Sequence, residues 1–244
     1  MPGHDLDGLE ALVAKLKVMC ARSMHGAAGA IGKAFAQANG HDIDFDFGTV
    51  GALQAKLDGG ETADVVILSA SLIDKLAKSG TLVPHSRADV AKTFIAVCIR
   101  EGAPLPDFKT PEAFKRLLEG ARAVAMSDPA VGGSAAVYVP VMFERMGIAA
   151  AMKGKSLLQQ NGVEVARRVV EGEADFGLTL SGEVASVAGA VIAGALPPPY
   201  GQETVYMAAV MAGSGAKDAG AALIAALTGP DTRETWKKAG FETA

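Results

Sequence analysis

The stretch "KVMCARSMHGAAGAIGKAFAQ", Lys17 to Gln37, decides how this chain is read. Its apolar run Val18 to Cys20 has the character of a buried strand. Arg22 and Ser23 interrupt it, and the small-residue segment that follows sets Ile31 and Phe35 four apart, as one face of a helix requires. A strand that passes through a hydroxyl residue into a helix is a unit of ligand-binding α/β sheets. Here that residue is Ser23, flanked by Arg22 and His25.

The same unit recurs downstream. "DIDFDF" (Asp42 to Phe47) alternates with period two and reads as a strand, "GALQAKLDGG" (Gly51 to Gly60) as a short helix closed by glycine. "ADVVIL" (Ala63 to Leu68) is a continuous apolar run suited to a parallel strand covered on both faces, which completes βαβαβ. A helix over Ser71 to Ser79, a strand over Thr93 to Arg100 and a Gly-Pro-rich loop over Glu101 to Phe108 follow. "TPEAFKRLLEG" (Thr110 to Gly120) has Thr as N-cap, Pro at the first helical position, Glu in the first turn and Gly at its end.

Beyond it, Ala121 to Asp128 reads as a strand and Pro129 to Gly147 as a glycine loop turning into a helix. Gly162 to Ala174 forms an amphipathic helix and Asp175 to Leu180 a strand. Thr204 to Ala212 is a returning strand before two helices, "AKDAGAALIAALTG" and "PDTRETWKKAG". This alternation predicts open α/β sheets.

Composition narrows the function. With 244 residues the chain suits one large domain or two lobes, and a net charge of -4 spread along it leaves no electrostatic footprint for nucleic acid or an anionic membrane. Cys20 and Cys98 each sit inside an apolar run, as small buried hydrophobes do. The histidines His4, His25, His41 and His85 make no metal-ligand spacing, so no metal and no cofactor are expected.

The first residues, "MPGHDLDGLEALVAKLK", carry Asp5, Asp7 and Glu10 where an export signal needs a basic and then an apolar stretch. The expectation is a chain that stays cytoplasmic as written, or a periplasmic one if the sequence is a trimmed mature form. "VASVAGAVIAGALPPPY" (Val184 to Tyr200) is broken by glycines and ends in three prolines, which predicts a soluble protein with no membrane insertion.

In open α/β sheets ligands sit beyond the carboxyl ends of strands, where helix N-termini offer free N–H groups and partial positive charge. Four junctions, "ARSMHG", "GTVGA", "GGSAA" and "QNGVE", carry the small and hydroxyl residues such a site uses, and together they favour an anion. Ser23 reads as an anion ligand or as a simple helix cap. Glu164 and Glu183, near helix starts, read as complements of the helix dipole, and Met19, Met24 and Met126 as core or rim. The glycine runs lack the G-K-[ST] ending of a nucleotide loop.

These segments in this order resemble the periplasmic binding protein fold of the molybdate-binding branch, the extracellular solute receptors of oxyanion importers. The likeness spans Lys17 to Phe241 and rests on "KVMCARSM", "FDFGTVGALQAKLDGGETADVVILSA", "SDPAVGGSAAVY", "VARRVVEGEADFGL" and the final "WKKAGF". It implies a two-lobed α/β fold of type II, each lobe an open, mostly parallel sheet flanked by helices, with the ligand cleft between them. Lobe 1 would comprise 17–93 and 204–244, lobe 2 would comprise 94–203, and 1–16 would be an N-terminal extension.

The resemblance further implies a ligand set. Ser23 matches the hydroxyl that caps the anion, the pair Thr49-Val50 falls where two serines are usual, and Ser69 and Ser134 stand at neighbouring junctions. Ala135 and Val163 match positions that give backbone N–H groups, while Leu180 stands where the branch has a tyrosine. Two of three side-chain donors are thus changed. Burying a dianion without paired donors costs several kcal/mol per charge, and each charge-assisted hydrogen bond returns only about 1.5 to 3 kcal/mol. Arg22, beside Ser23 where the family generally has a small residue, suits a carboxylate bidentately.

Two functions follow from the likeness. One is a monomeric receptor for a small carboxylate or oxyanion, with an ABC permease as partner and hinge closure as its working motion. The other is a cofactor-independent isomerase of an unsaturated di- or tricarboxylate, since aconitate isomerase resembles the same branch. In that case His25 and Cys20 are the titratable candidates near Ser23.

Overall fold

The computed structural model describes residues 14–243. β1 (Lys15–Ala21) runs through a short turn into α1 (His25–Asn39), β2 (Asp42–Gly48) into α2 (Val50–Asp58) and β3 (Val65–Ser69) into α3 (Ala70–Lys78). β1 lies between β2 and β3, parallel to both. A second series comprises α4 (Pro111–Gly120), β5 (Val124–Ser127), α5 (Ser134–Arg145), α6 (Ala149–Lys153), β6 (Ser156–Gln159), α7 (Gly162–Val170), β7 (Phe176–Leu180) and α8 (Ser181–Ala185). Here β5 lies between β6 and β7, again parallel to both. The mixed α/β class is that of the sequence pattern.

β4 (Ala88–Arg100) connects the two series. Residues 88–94 pair antiparallel with β9 (Glu203–Val210), which itself pairs with β3. From Ile95 onward the partners are β7 and β8 (Ala190–Ala195). β4 therefore changes partners between Phe94 and Ile95, and the strand order is β2-β1-β3-β9-β4-β7-β5-β6, with β8 on β4. The C-terminal α9 (Lys217–Thr228) and α10 (Arg233–Lys238) return to the first series, and the chain's last bridge joins Glu242 to Lys92.

Local chemistry explains the element ends. Thr49, Thr110 and Asn161 each accept from the N–H three residues on, at 3.2, 3.2 and 3.0 Å, and so start α2, α4 and α7. Gly40 closes α1 at φ 67°, where a side chain is strained. In the first core, Trp236 is fully buried and donates its Nε1 proton to Leu227 O at 2.9 Å. Met19 and Met24 are fully buried and Met126 nearly so, as core residues.

Several elements differ from the sequence reading. The strand expected over Thr93 to Arg100 begins five residues earlier, at Ala88, because its first half is defined by pairing with β9, far along the chain. The short α6, β6, α8 and β8 had no periodic signal long enough to find. The segment 184–200 holds the end of α8, then β8 and a prolyl turn. β1 takes in Lys15 and Leu16 of the expected N-terminal extension; the rest of that extension, with its acidic residues, falls outside the described residues, apart from Ala14.

Candidate functional site

A cavity of about 1480 Å³ lies where the two series of strands present their carboxyl ends to one another. The α1, α2 and α3 starts reach it from one side, the α5 and α7 starts from the other, with the beginning of β9 across the back. Five helices of nine or more residues thus aim unsatisfied first-turn N–H groups at one space. Ser23 and Ala135, on different series, line the same cavity.

Of the residues singled out in the sequence, Arg22, Ser23, Thr49, Val50, Ser69, Ser134, Ala135, Val163, Leu180 and His25 all line this space. Arg22 is exposed at its wall and makes no ion pair among the described residues. Thr49 Oγ1 accepts from Ala52 N, which leaves its own proton to donate. Ser69 Oγ lies 3.2 Å from Ser71 Oγ. Ser134 opens α5 after Gly133, whose φ of 100° favours glycine. Val50 and Leu180 bring apolar surface.

Two expectations are corrected and a third is extended. Cys20 does not line the cavity: it is fully buried in β1, its Sγ points to Ala21 O at 3.6 Å, and burial pushes its thiol far up, so it is a core residue and no proton carrier at neutral pH. Ser23 caps no helix. Its hydroxyl donates to the Tyr206 phenol at 2.8 Å, and the start of α1 has no side-chain cap at all. Glu183 does more than complement a dipole.

Glu183 lines the cavity from the first turn of α8. Its Oε2 accepts from Thr179 Oγ1 at 2.5 Å and from Leu180 N at 3.3 Å, and the Gly162 backbone at the start of α7 lies directly against the carboxyl. Burial nevertheless outweighs these bonds and raises the carboxyl above the ordinary carboxylate range. Glu164, by contrast, pairs with Arg167 at 2.8 Å as a first-turn residue should.

Tyr206 was missed as well. Its phenol is raised first by burial, with the Ser23 bond pulling the other way and the Glu183 charge adding to the rise, so the three groups share one electrostatic environment. The signal available in the sequence was a single phenol inside the apolar run Thr204 to Ala212. His25 sits edge-on to Phe47, with ring centroids 4.6 Å apart.

The comparisons agree with this architecture. The profile of the family described as bacterial extracellular solute-binding protein matches residues 16–242. Over 239 residues the chain is 32% identical to an aconitate isomerase of Pseudomonas sp., an alignment covering 94% of this chain and 88% of that protein. Among solved structures it resembles a substrate-binding domain attributed to a molybdenum ABC transporter of Clostridium difficile, with TM-score 0.73 and 15% identity over 95% of this chain and 99% of that one. It also resembles the periplasmic molybdate-binding protein of Azotobacter vinelandii, with TM-score 0.66 and 20% identity over 94% and 99%. Among the described residues no helix is long and apolar enough to cross a membrane.

Proposed function

Because the chain belongs to the bacterial extracellular solute-binding family, we propose that its cavity binds a small carboxylate anion and that its two halves close over the ligand as lobes, hinged where β4 changes partners. The observation that carries this reading is Arg22 at the wall of a cavity ringed by helix N-termini, with Val50 and Leu180 as apolar neighbours. N–H groups alone would suit any oxyanion. A planar guanidinium and apolar walls suit a carboxylate on a carbon skeleton better than a compact tetrahedral dianion. In this receptor role the chain acts as a monomer and delivers its ligand to a membrane permease.

A second reading has its own support. Likeness to an aconitate isomerase extends over 94% of the chain, and a cavity for carboxylates that also holds a carboxyl group suits proton transfer on the ligand. The substrate would be an unsaturated di- or tricarboxylate and the reaction would need no cofactor.

Calorimetric titration with cis-aconitate, trans-aconitate and molybdate tests the binding reading. Carboxylate binding that molybdate does not compete away is the expected result. Tight molybdate binding with no response to either aconitate would overturn it.

A further inference from the structure

Glu183 is out of place in a receptor for anions. An ionised carboxylate facing the ligand repels it, and among the described residues no Lys, Arg or His pairs with Glu183 to cancel that charge. A glutamine could keep the same hydrogen bonds through its amide oxygen without the repulsion.

The geometry of the two oxygens is unequal. Oε2 is anchored by Thr179 Oγ1 and Leu180 N, while Oε1 takes no side-chain or α8 hydrogen bond from the described residues. Every buried side-chain oxygen and nitrogen among those residues has a partner, so Oε1 is open, and the residue lines the cavity. The anchored oxygen is pressed against the start of α7: a Cβ on Gly162 would come within 1.9 Å of Oε2. A ligand carboxylate held by the first turn of α7 would lie in the same cavity as this carboxyl, where Oε1 is free to meet the carbon next to it.

We propose that Glu183 is the acid–base residue of the site, moving one proton between two carbons of a bound unsaturated carboxylate. This rests on the isomerase reading above. Oε1 takes a proton from the methylene carbon next to a ligand carboxylate. The electron pair of that C–H bond becomes a new carbon–carbon π bond, the original π electrons shift to the far carbon of the three-carbon unit, and the charge spreads over the attached carboxylates. Glu183, now protonated, returns the proton to that far carbon. One C–H bond breaks and one forms, the double bond moves by one position, and no oxidant, reductant or water is consumed.

The surroundings fit this role. The helix N-termini stabilise the charge that develops on the ligand carboxylates, and the raised proton affinity of Glu183 makes it a stronger base than an exposed glutamate. Thr179 Oγ1 and the Leu180 N–H hold the carboxyl in one orientation through both half-reactions.

The test follows trans-aconitate by proton NMR in heavy water with the full chain. Wild type is expected to form the cis isomer or to exchange the methylene and vinyl protons for deuterium. E183Q should lose both by about a hundredfold or more while still binding aconitate by calorimetry, and C20A should keep both. If E183Q unfolds or fails to bind, E183D serves instead, with its carboxyl withdrawn by one methylene and a slow but measurable reaction expected. Wild type that binds aconitate without exchange or isomerisation overturns the proposal and leaves the binding reading standing, as does an E183Q with undiminished rate or an E183D as fast as wild type. Wild type that binds neither aconitate removes the substrate reading, and the proposal falls with it.

Discussion

Ser23 and Tyr206 are joined by a hydrogen bond of 2.8 Å in which the serine hydroxyl donates. Ser23 belongs to the turn after β1 and Tyr206 to β9, on the opposite side of β3 from β1. Because the phenol oxygen accepts from Ser23, its own proton is free to point into the cavity both residues line. In the proposed binding role the pair would act as one donor to a ligand.

From this coupling, Tyr206→Phe is expected to weaken anion binding by about fivefold to tenfold, since a neutral hydrogen bond contributes about 1 kcal/mol. Ser23→Ala should weaken it less, and the double variant should bind no worse than Tyr206→Phe alone. Calorimetric titration of the three variants checks this. Strictly additive losses would mean that each hydroxyl meets the ligand separately.

Arg22 decides between ligand classes. It is exposed at the cavity wall and has no ion-pair partner among the described residues, so its charge is available to a ligand. Arg22→Ala should lower carboxylate affinity by at least about tenfold, and Arg22→Lys should recover only part, because an ammonium lacks the bidentate fork. Thermal unfolding without ligand should hardly change. Carboxylate affinity indifferent to both substitutions would remove Arg22 from the site.

The sequence was legible where a segment's own pattern sets its structure. β1, β3 and α4 could be read from continuous apolar runs or capping residues, and Ser23, Thr49 and Ala135 from their place after strands. The first half of β4 was hidden because "ADVAK" becomes a strand only beside β9, more than a hundred residues away. Glu183 and Tyr206 escaped for the same reason. Nothing local distinguishes Glu183 from a dipole-complementing glutamate until Thr179 and the α7 turn close around it. Cys20 was legible as a buried hydrophobe from its apolar run; closeness to Ser23 suggested chemistry as well, but β1 is covered on both faces, so Cys20 packs in one core beside Val18 while Met19 packs in the other.

That correction has a simple test. Cys20→Ala is expected to cost about 1 kcal/mol of stability, as a small core truncation does, and to leave ligand affinity unchanged. Denaturant unfolding and calorimetry measure the two separately. A loss of affinity at unchanged stability would return Cys20 to the site.

Glu183 should leave a signature in the pH dependence of stability. Its carboxyl is raised by burial in the folded chain, whereas unfolded it titrates near about 4.3. As pH rises through the interval between these two values, the folded state still holds a proton that the unfolded state has released, so stability contributed by this group is lost; above the folded value the penalty is constant. E183Q, which cannot ionise, should gain stability relative to wild type across that interval and then level off. Denaturant midpoints of both proteins from about pH 4 to neutrality give the comparison. A difference independent of pH would show that Glu183 is not raised.

Gly162 forms the floor beneath Glu183. A methyl group at position 162 would come within 1.9 Å of Glu183 Oε2 and 2.0 Å of Thr179 Oγ1, both on the buried side of the site. Neither neighbour can withdraw freely, because Thr179 is fully buried and Glu183 is tied to the start of α8. Gly162→Ala must therefore push the carboxyl out of its two hydrogen bonds or shift the start of α7, at a cost of about 1 to 3 kcal/mol of overpacking. Gly120→Ala is the control, since a Cβ there meets nothing within 4 Å and the position is helical, so it should be neutral or stabilising. The two variants differ most in ligand binding. Gly162→Ala should lose affinity for the anion as well as stability, because Val163 and the displaced carboxyl belong to the same cavity, whereas Gly120→Ala should bind like wild type. Equal affinity in all three proteins, measured by calorimetry under conditions where each is folded, would separate the α7 start from the ligand.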